Sequence, residues 1–241
     1  MDNYSFTEKN YRDILIETNK NYKFVNYTDD LSEKNIVLWR HDVDFTPHRA
    51  LILANIEKEL GTRSTFFIQI TSNFYNIFEN EIKDIFSEII NLGHSIGLHF
   101  DPSFYDINGS DAFVNWLEYE KTILEKMFDM KICVFSFHNP TTDILKFDDF
   151  RYANMINTYS KEIKNDFKYC SDSNGYWRFD KLDEIVKENF DKLHILTHPV
   201  WWQKEFMTPR DKVQRCIDLR AKKQASFYDN LLEINGRVNV K

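Results

Sequence analysis

Glycine and proline are scarce in this chain, at 6 and 5 in 241 residues. That excludes collagenous, linker-rich and low-complexity classes, which need those residues in quantity. Cysteine is equally thin. Cys133, Cys170 and Cys216 are odd in number, far apart and without CxxC spacing, which argues against a disulfide framework and reads as three reduced thiols in a cytosolic protein. No apolar run approaches the ~18 residues needed to span a bilayer. The opening "MDNYSFTEKNYRD" has no apolar core of a secretory leader. A soluble, cytoplasmic chain with no transmembrane segment is expected. Positive charge is also in deficit, 31 Lys and Arg against 38 Asp and Glu for a net charge of −7. Without a basic stripe, nucleic acid is not an expected partner.

What is present is apolar and aromatic. Hydrophobic residues make up 42% and aromatics 16%, with 21 Phe and 12 Tyr, enough for one sizeable core and a single domain over 1–241. Strand-like and helix-like segments alternate along the chain. "FTEKNYRDILIETN" reads as a helix with Tyr11, Ile14, Leu15 and Thr18 on one stripe, followed by the strands "YKFVNY" and "NIVLWRHD". "TPHRALILANIEKELG" is a helix punctuated by Thr46 as N-cap, Pro47 and Gly61. Strand "STFFIQI", helix "ENEIKDIFSEIINLG", strand "SIGLHF", helix "SDAFVNWLEYEKTILEKMF" and strand "KICVFSF" follow. Residues 139–164 read as short helices and functional loops. Then come strand "DFKYCSDS", helix "FDKLDEIVKENF", strand "KLHILTHP" and a long closing helix from Thr208 to Gly236. Such alternation predicts βαβ units around a parallel sheet, an α/β fold closed into a barrel in preference to an open one. Functional groups then belong at the C-terminal ends of the strands.

That rule has content here. The stretch "VLWRHDVDF" ends an apolar run in Arg40, His41, Asp42 and Asp44. Alternate strand residues share a face, so Arg40, Asp42 and Asp44 point together, and two buried carboxylates need a cation nearby. His99, His138, Asp172 and His198 also fall at strand ends. Brought to one rim, such carboxylates and imidazoles are the ligand set of a Zn²⁺, Fe²⁺ or Mn²⁺ site. His198 is followed by Pro199 and the pair Trp201 and Trp202, which favours a functional role for it. His41 faces away from Asp42 and reads as structural, His94 as a cap on the preceding helix, and His48 and His194 as surface or packing residues.

"RHDVD", "ELGTRSTFFI" and "LGHSIGLHFD" together resemble the polysaccharide deacetylase superfamily, carbohydrate esterase family 4, in its divergent branch with an "RHDVD" first motif. The resemblance runs from about Tyr11 to Trp202. It implies a distorted (β/α)7 barrel, one divalent metal (commonly zinc) and hydrolysis of an acyl group, N-acetyl or O-acetyl, on a sugar. It implies Asp42 as general base, Asp44 and His99 as metal ligands, and His198 as catalytic acid. Where the family's second motif has a further histidine, this chain has Ser103, so Asp101, His138 or a water stands in as third ligand, with His138 the expected one. The "SFHNP" stretch replaces the family's third motif, and a backbone N–H near His138 and Asn139 is the expected oxyanion donor. Arg40, Asp101, Asp172, Trp201 and Trp202 are expected on the substrate side, with "SDSNGYWR" and "HPVWW" lining the groove. The implied substrate is an acylated amino sugar, a precursor in surface-polysaccharide biosynthesis. The alternatives are a catalytically silent glycan- or nucleotide-sugar-binding barrel, and a metal-dependent amidase or deformylase on another small C–N substrate.

Overall fold

The computed structural model describes residues 5–177 and 180–240. Helix α1 (Glu8–Asn21) starts where the Thr7 side chain accepts from the Asn10 N–H, and buries the expected stripe of Tyr11, Ile14, Leu15 and Thr18. Strands β1 (Lys23–Val25) and β2 (Ile36–Val43) lead into α2 (Pro47–Glu59), where Thr46 occupies the N-cap but its side chain makes no capping bond. Next come β3 (Thr65–Ile68), α3 (Asn80–Asn91), β4 (Ser95–Phe100), α4 (Ser110–Phe128) and β5 (Val134–Phe137). The chain continues through β6 (Arg151–Tyr152), β7 (Met155–Asn157), α5 (Lys161–Asp166), β8 (Lys168–Ser171), α6 (Leu182–Ile185), β9 (Lys192–Thr197) and α7 (Pro209–Ile234).

The strands form one curled sheet in the order β6–β7–β5–β4–β3–β2–β9–β8, with β1 beside the first half of β2. Every pairing is parallel except β6 with β7. This is the distorted α/β barrel expected, with β6 and β8 at the ends of the pairing path. Two local expectations change. Residues 139–164 contain β6 and β7, which extend the sheet, although β7 is too short to show a period-two pattern. The expected helix over "FDKLDEIVKENF" is only Leu182–Ile185, and Arg178 and Phe179 of the neighbouring expected segments lie outside the described residues.

Alternation along the strands sorts side chains between two environments. On β2, Val37 and Trp39 pack with Tyr11, Leu15, Leu53 and Leu182 beneath the helices. Ile36 and Leu38 instead join Phe67, Val134 and Ile156 in the barrel interior. Gly97 belongs to this interior: a Cβ there would stand 2.5 Å from the Phe67 ring, so only glycine lets β4 lie beside that ring. His41 faces outward, into a buried polar knot. Its Nε2 lies 2.6 Å from Glu57 Oε1 and its Nδ1 2.8 Å from Thr197 Oγ1; Tyr11 also donates to Glu57, and Ser64 donates to the same carboxylate at 2.5 Å. Burial works against the Glu57 charge, but His41 and then His94 hold its carboxyl below the usual range. His94 does not cap α3 with its side chain. Its Nε2 meets the Ala54 carbonyl at 3.0 Å, tying α2 to the start of β4.

Glu120 of α4 is a buried acid of the opposite kind. Its Oε1 accepts from Tyr105 Oη at 2.6 Å, while Oε2 is buried without a partner. Burial, opposed by the Tyr105 bond and assisted by Asp101, pushes its carboxyl up to about 7 from 4.5. A raised carboxyl pKa favours the neutral form in the fold. The stabilisation is full below the unfolded pKa and is lost as pH rises through about 7, for a total on the order of 3 kcal/mol. Glu120→Gln is therefore expected to stabilise the protein at pH 8 and to change little at pH 4, as read by urea unfolding. An equal gain at both pH values would show that Glu120 is not the proton carrier.

Candidate metal centre

The interior alternation continues past the strand ends. Phe67 and Gly97 face inward, so Gln69, His99 and Asp101 follow on the same face, as do Asp42 and Asp44 on and after β2. Ser136 on β5 and His194 on β9 set the same parity for His138 and His198. Parallel strands point these ends to one rim, and the residues meet there.

Asp44 Oδ1, His99 Nε2 and His138 Nδ1 form a triangle with edges of 3.1, 3.2 and 3.6 Å. A tetrahedral ion bound at about 2.1 Å by each donor sets donor–donor separations near ~3.4 Å. Asp44 Oδ1 is buried and accepts no well-formed hydrogen bond, as an oxygen reserved for a cation would. The residues thus fit a divalent metal. His99 is oriented by Ser136 Oγ, 2.7 Å from its Nδ1, and His138 by the Asn139 amide, 2.9 Å from its Nε2. Such outer partners fix the ring that presents a ligand nitrogen. Asn139 does this from a left-handed backbone, φ 42°, which asparagine tolerates better than most residues. Burial works against the Asp44 charge, but the His138 and His99 rings, with His198 behind, hold its carboxyl well below the usual range. His138 is raised in return, Asp44 overcoming the effect of burial.

Asp42 stands behind this triangle. Its Oδ2 accepts from Arg40 at 2.9 Å and lies 3.7 Å from His99 Nε2, while Oδ1 is buried and unpartnered. Arg40 is itself locked: it donates to Thr158 Oγ1 at 2.7 Å, and Phe67 and Tyr159 flank its guanidinium. On the other side, His198 Nε2 is 3.8 Å from Asp44 Oδ2. His198 Nδ1 is 2.7 Å from Asp172 Oδ1, and the indole N–H of Trp202 donates to Asp172 Oδ2 at 2.8 Å. Burial alone would lower the His198 pKa, but the hydrogen bond and charge of Asp172, then Asp44 and Asp42, raise it to about 9.

Several expected roles change with these positions. Arg40, Asp172 and Trp202 are buried at 1%, 0% and 0% exposure, so they stand behind the site and orient Asp42 and His198 without lining a surface. Asp101 and Trp201 do line the cavity, which has a volume of about 350 Å³ and also holds Phe45, Phe74, Asn73 and Ser173. Asp101 is outside the metal triangle. Its Oδ1 accepts from the Ser103 N–H and hydroxyl, and its Oδ2 from Gln69. Ser103 is turned onto Asp101 in the same contact. Of the backbone N–H groups near His138 and Asn139 expected to serve an oxyanion, that of His138 is committed to the Phe100 carbonyl at 2.8 Å. Ser136 and Gln69 were not singled out from the sequence, and Asn139 only for its backbone N–H. The period-two pattern running into "SFHN" carried the signal for Ser136 and the strand-end rule for Gln69, while Asn139 depends on loop conformation.

No protein-family model matches the chain, and no curated protein does. Among solved structures it is similar to the chitin deacetylase of the fungal pathogen Colletotrichum lindemuthianum, at 14% identity and TM-score 0.47 over 82% of this chain and 86% of that one. A family 4 acetyl xylan esterase from Clostridium thermocellum, in complex with cobalt, gives 14% and 0.43 over 84% and 92%. A CE4 family pseudoenzyme from Bacillus anthracis gives 15% and 0.44 over 80% of this chain and 61% of that one. This chain therefore spans less than two thirds of that pseudoenzyme's length. Likenesses at this level extend no further than general shape, and the chemistry of this chain has to come from its own residues.

Proposed function

We propose that the protein is a metal-dependent hydrolase that removes an acyl group from the nitrogen of an amino sugar. The observation that carries this reading is the triangle of Asp44, His99 and His138, with an unpartnered carboxylate oxygen of Asp42 on one side and a carboxylate-held imidazole, His198, on the other. His138 supplies the third donor that Ser103 cannot, which favours an active centre over a silent barrel. A divalent ion held by those three residues would polarise an acyl carbonyl and make water more acidic.

Asp42 Oδ1 takes the proton of the attacking water, while the Arg40 bond to Oδ2 holds the carboxylate in place. His198, kept protonated by Asp172, gives its Nε2 proton to the sugar nitrogen as the carbon–nitrogen bond breaks. The acyl carbon keeps the water oxygen and leaves as the carboxylate, and the sugar leaves as the amine. Gln69, Asn73 and Ser173 suit sugar hydroxyls, and Phe45, Phe74 and Trp201 offer apolar faces to a ring. Among the described residues no Lys or Arg lines the cavity, which suits a neutral sugar ring at the reacting centre. A role in making surface-polysaccharide precursors is what the sequence resemblance implies, and the unpaired spacing of the three cysteines favours a cytoplasmic location. Among the described residues no helix is long and apolar enough to cross a membrane.

The test is metal analysis paired with acid release from N-acyl amino sugars. The purified protein is expected to hold one divalent ion and to release acetate or formate. Asp42→Asn should slow release by roughly 10² to 10⁴ at unchanged metal content. Loss of metal in that variant would make Asp42 a ligand, and no acid release by the metal-loaded wild type would end the hydrolase reading.

A further inference from the structure

A second cavity, of about 310 Å³, adjoins the metal pocket. Phe45 and Phe74 line both, so the two compartments share an aromatic wall. Pro47, Tyr75, Ile82 and Leu219 continue the apolar lining. The other wall is basic: His48, Arg49, Arg215, Arg220 and Lys223 line the cavity, and among the described residues no Asp or Glu does. Each of these side chains has an acid partner outside the lining, among Glu8, Glu79, Glu81 and Glu205, so the apolar floor dominates, and the basic groups lie nearer the cavity than the acids that balance them. Two details favour negative charge there. The Nε of Arg49 is buried without a hydrogen-bond partner. Helix α2 also begins in the cavity wall at Pro47, with no side-chain cap from Thr46 and no acid in its first turn, which leaves its N-terminal dipole unanswered.

We propose that this cavity takes the hydrocarbon chain of the substrate, with an anionic linking group beside the N-terminus of α2, so that the acylated amino sugar arrives on an apolar anionic carrier. The inference rests on the hydrolase reading and names its substrate class. A nucleotide carrier would need polar partners for a base where this cavity presents carbon. A polymer would need an open track, whereas α7 walls this compartment with Leu219, Arg220 and Lys223.

The test uses the whole protein. Below their micellar concentrations, decyl phosphate, the decyl glycoside of N-acetylglucosamine and its methyl glycoside are titrated by calorimetry. Both decyl ligands are expected to bind, the phosphate more tightly, and the methyl glycoside roughly tenfold or more weakly, since it buries no chain. Leu219 is 60% exposed, so Leu219→Glu leaves the core intact. It should weaken both decyl ligands by about tenfold or more, whereas Ile217→Glu, outside the cavity, should bind as wild type does. Decyl ligands binding no better than the methyl glycoside, or unaffected by Leu219→Glu, would overturn the proposal. Equal affinity for the two decyl ligands would remove the anionic group from it. Acetate release from the methyl glycoside is read separately: its absence counts against the hydrolase reading, while the titration still decides whether the cavity takes a chain.

Discussion

His138→Ala is expected to leave the protein folded, to lower its bound divalent metal well below one per chain, and to reduce acyl release by on the order of 10³ or more. The reasoning is geometric. His138 supplies one corner of a triangle whose other corners, Asp44 Oδ1 and His99 Nε2, are 3.1 Å apart, and two donors hold an ion far less firmly than three. The ring sits after β5 and is part-buried, so its loss costs little packing. Metal content is read by elemental analysis, folding by thermal melting, and activity by acid release. A second arm separates ligand identity from mere histidine content. Adding Ser103→His to the alanine variant should not restore the metal, because position 103 sits in a short turn capped by Asp101, its side chain directed onto that carboxylate. Rescue by the double variant would place the third ligand at position 103. Full metal retention in His138→Ala would remove His138 from the coordination set.

Asp172→Asn should cost roughly 10² to 10⁴ in kcat while leaving metal content alone. Asp172 is the group that keeps the His198 ring charged, and it does so from full burial. Its removal leaves burial as the larger influence on the ring and lowers its pKa. For a general acid the active form is the protonated one, so the rate falls as pH rises through that pKa. In the wild type this alkaline limb lies near about 9; in the variant it moves to lower pH, towards or below the ordinary histidine value of ~6.5. The pH–rate profile checks the shift, and a urea melt checks that the Trp202 bond survives on the amide oxygen. A lower rate with an unmoved alkaline limb would mean that Asp172 holds structure alone.

The strand-end groups were legible in the sequence because the barrel interior obeys a period of two. Asp42, Asp44, His99, His138 and His198 each fall on the inward parity of a strand whose apolar residues announce it. Two kinds of information were not legible. Depth was the first: Arg40, Asp172 and Trp202 read as substrate contacts because their chemistry is polar or aromatic, yet each is spent on positioning a neighbour. Loop conformation was the second: the Asn139 contact to His138 depends on a positive φ that nothing in "SFHNP" dictates, and the short β7 is a strand only because β5 offers it an edge, as β7 then does for β6. Glu57 was likewise unremarked, since a glutamate near the end of an amphipathic helix is ordinarily solvated, and its partners come from α1, β2 and the segments leading into β3 and β4.

Strand β2 carries these two chemistries back to back. Arg40 and Asp42 look into the barrel mouth, while His41 between them joins the Glu57 knot beneath α2. Deleting or inserting a single residue within Ile36–Val43 would exchange the two sets, sending a lone imidazole to the mouth and a guanidinium and a carboxylate into the space beneath α2 that His41 and Glu57 share. That span has almost no tolerance for length change, and related chains should align through it without a gap.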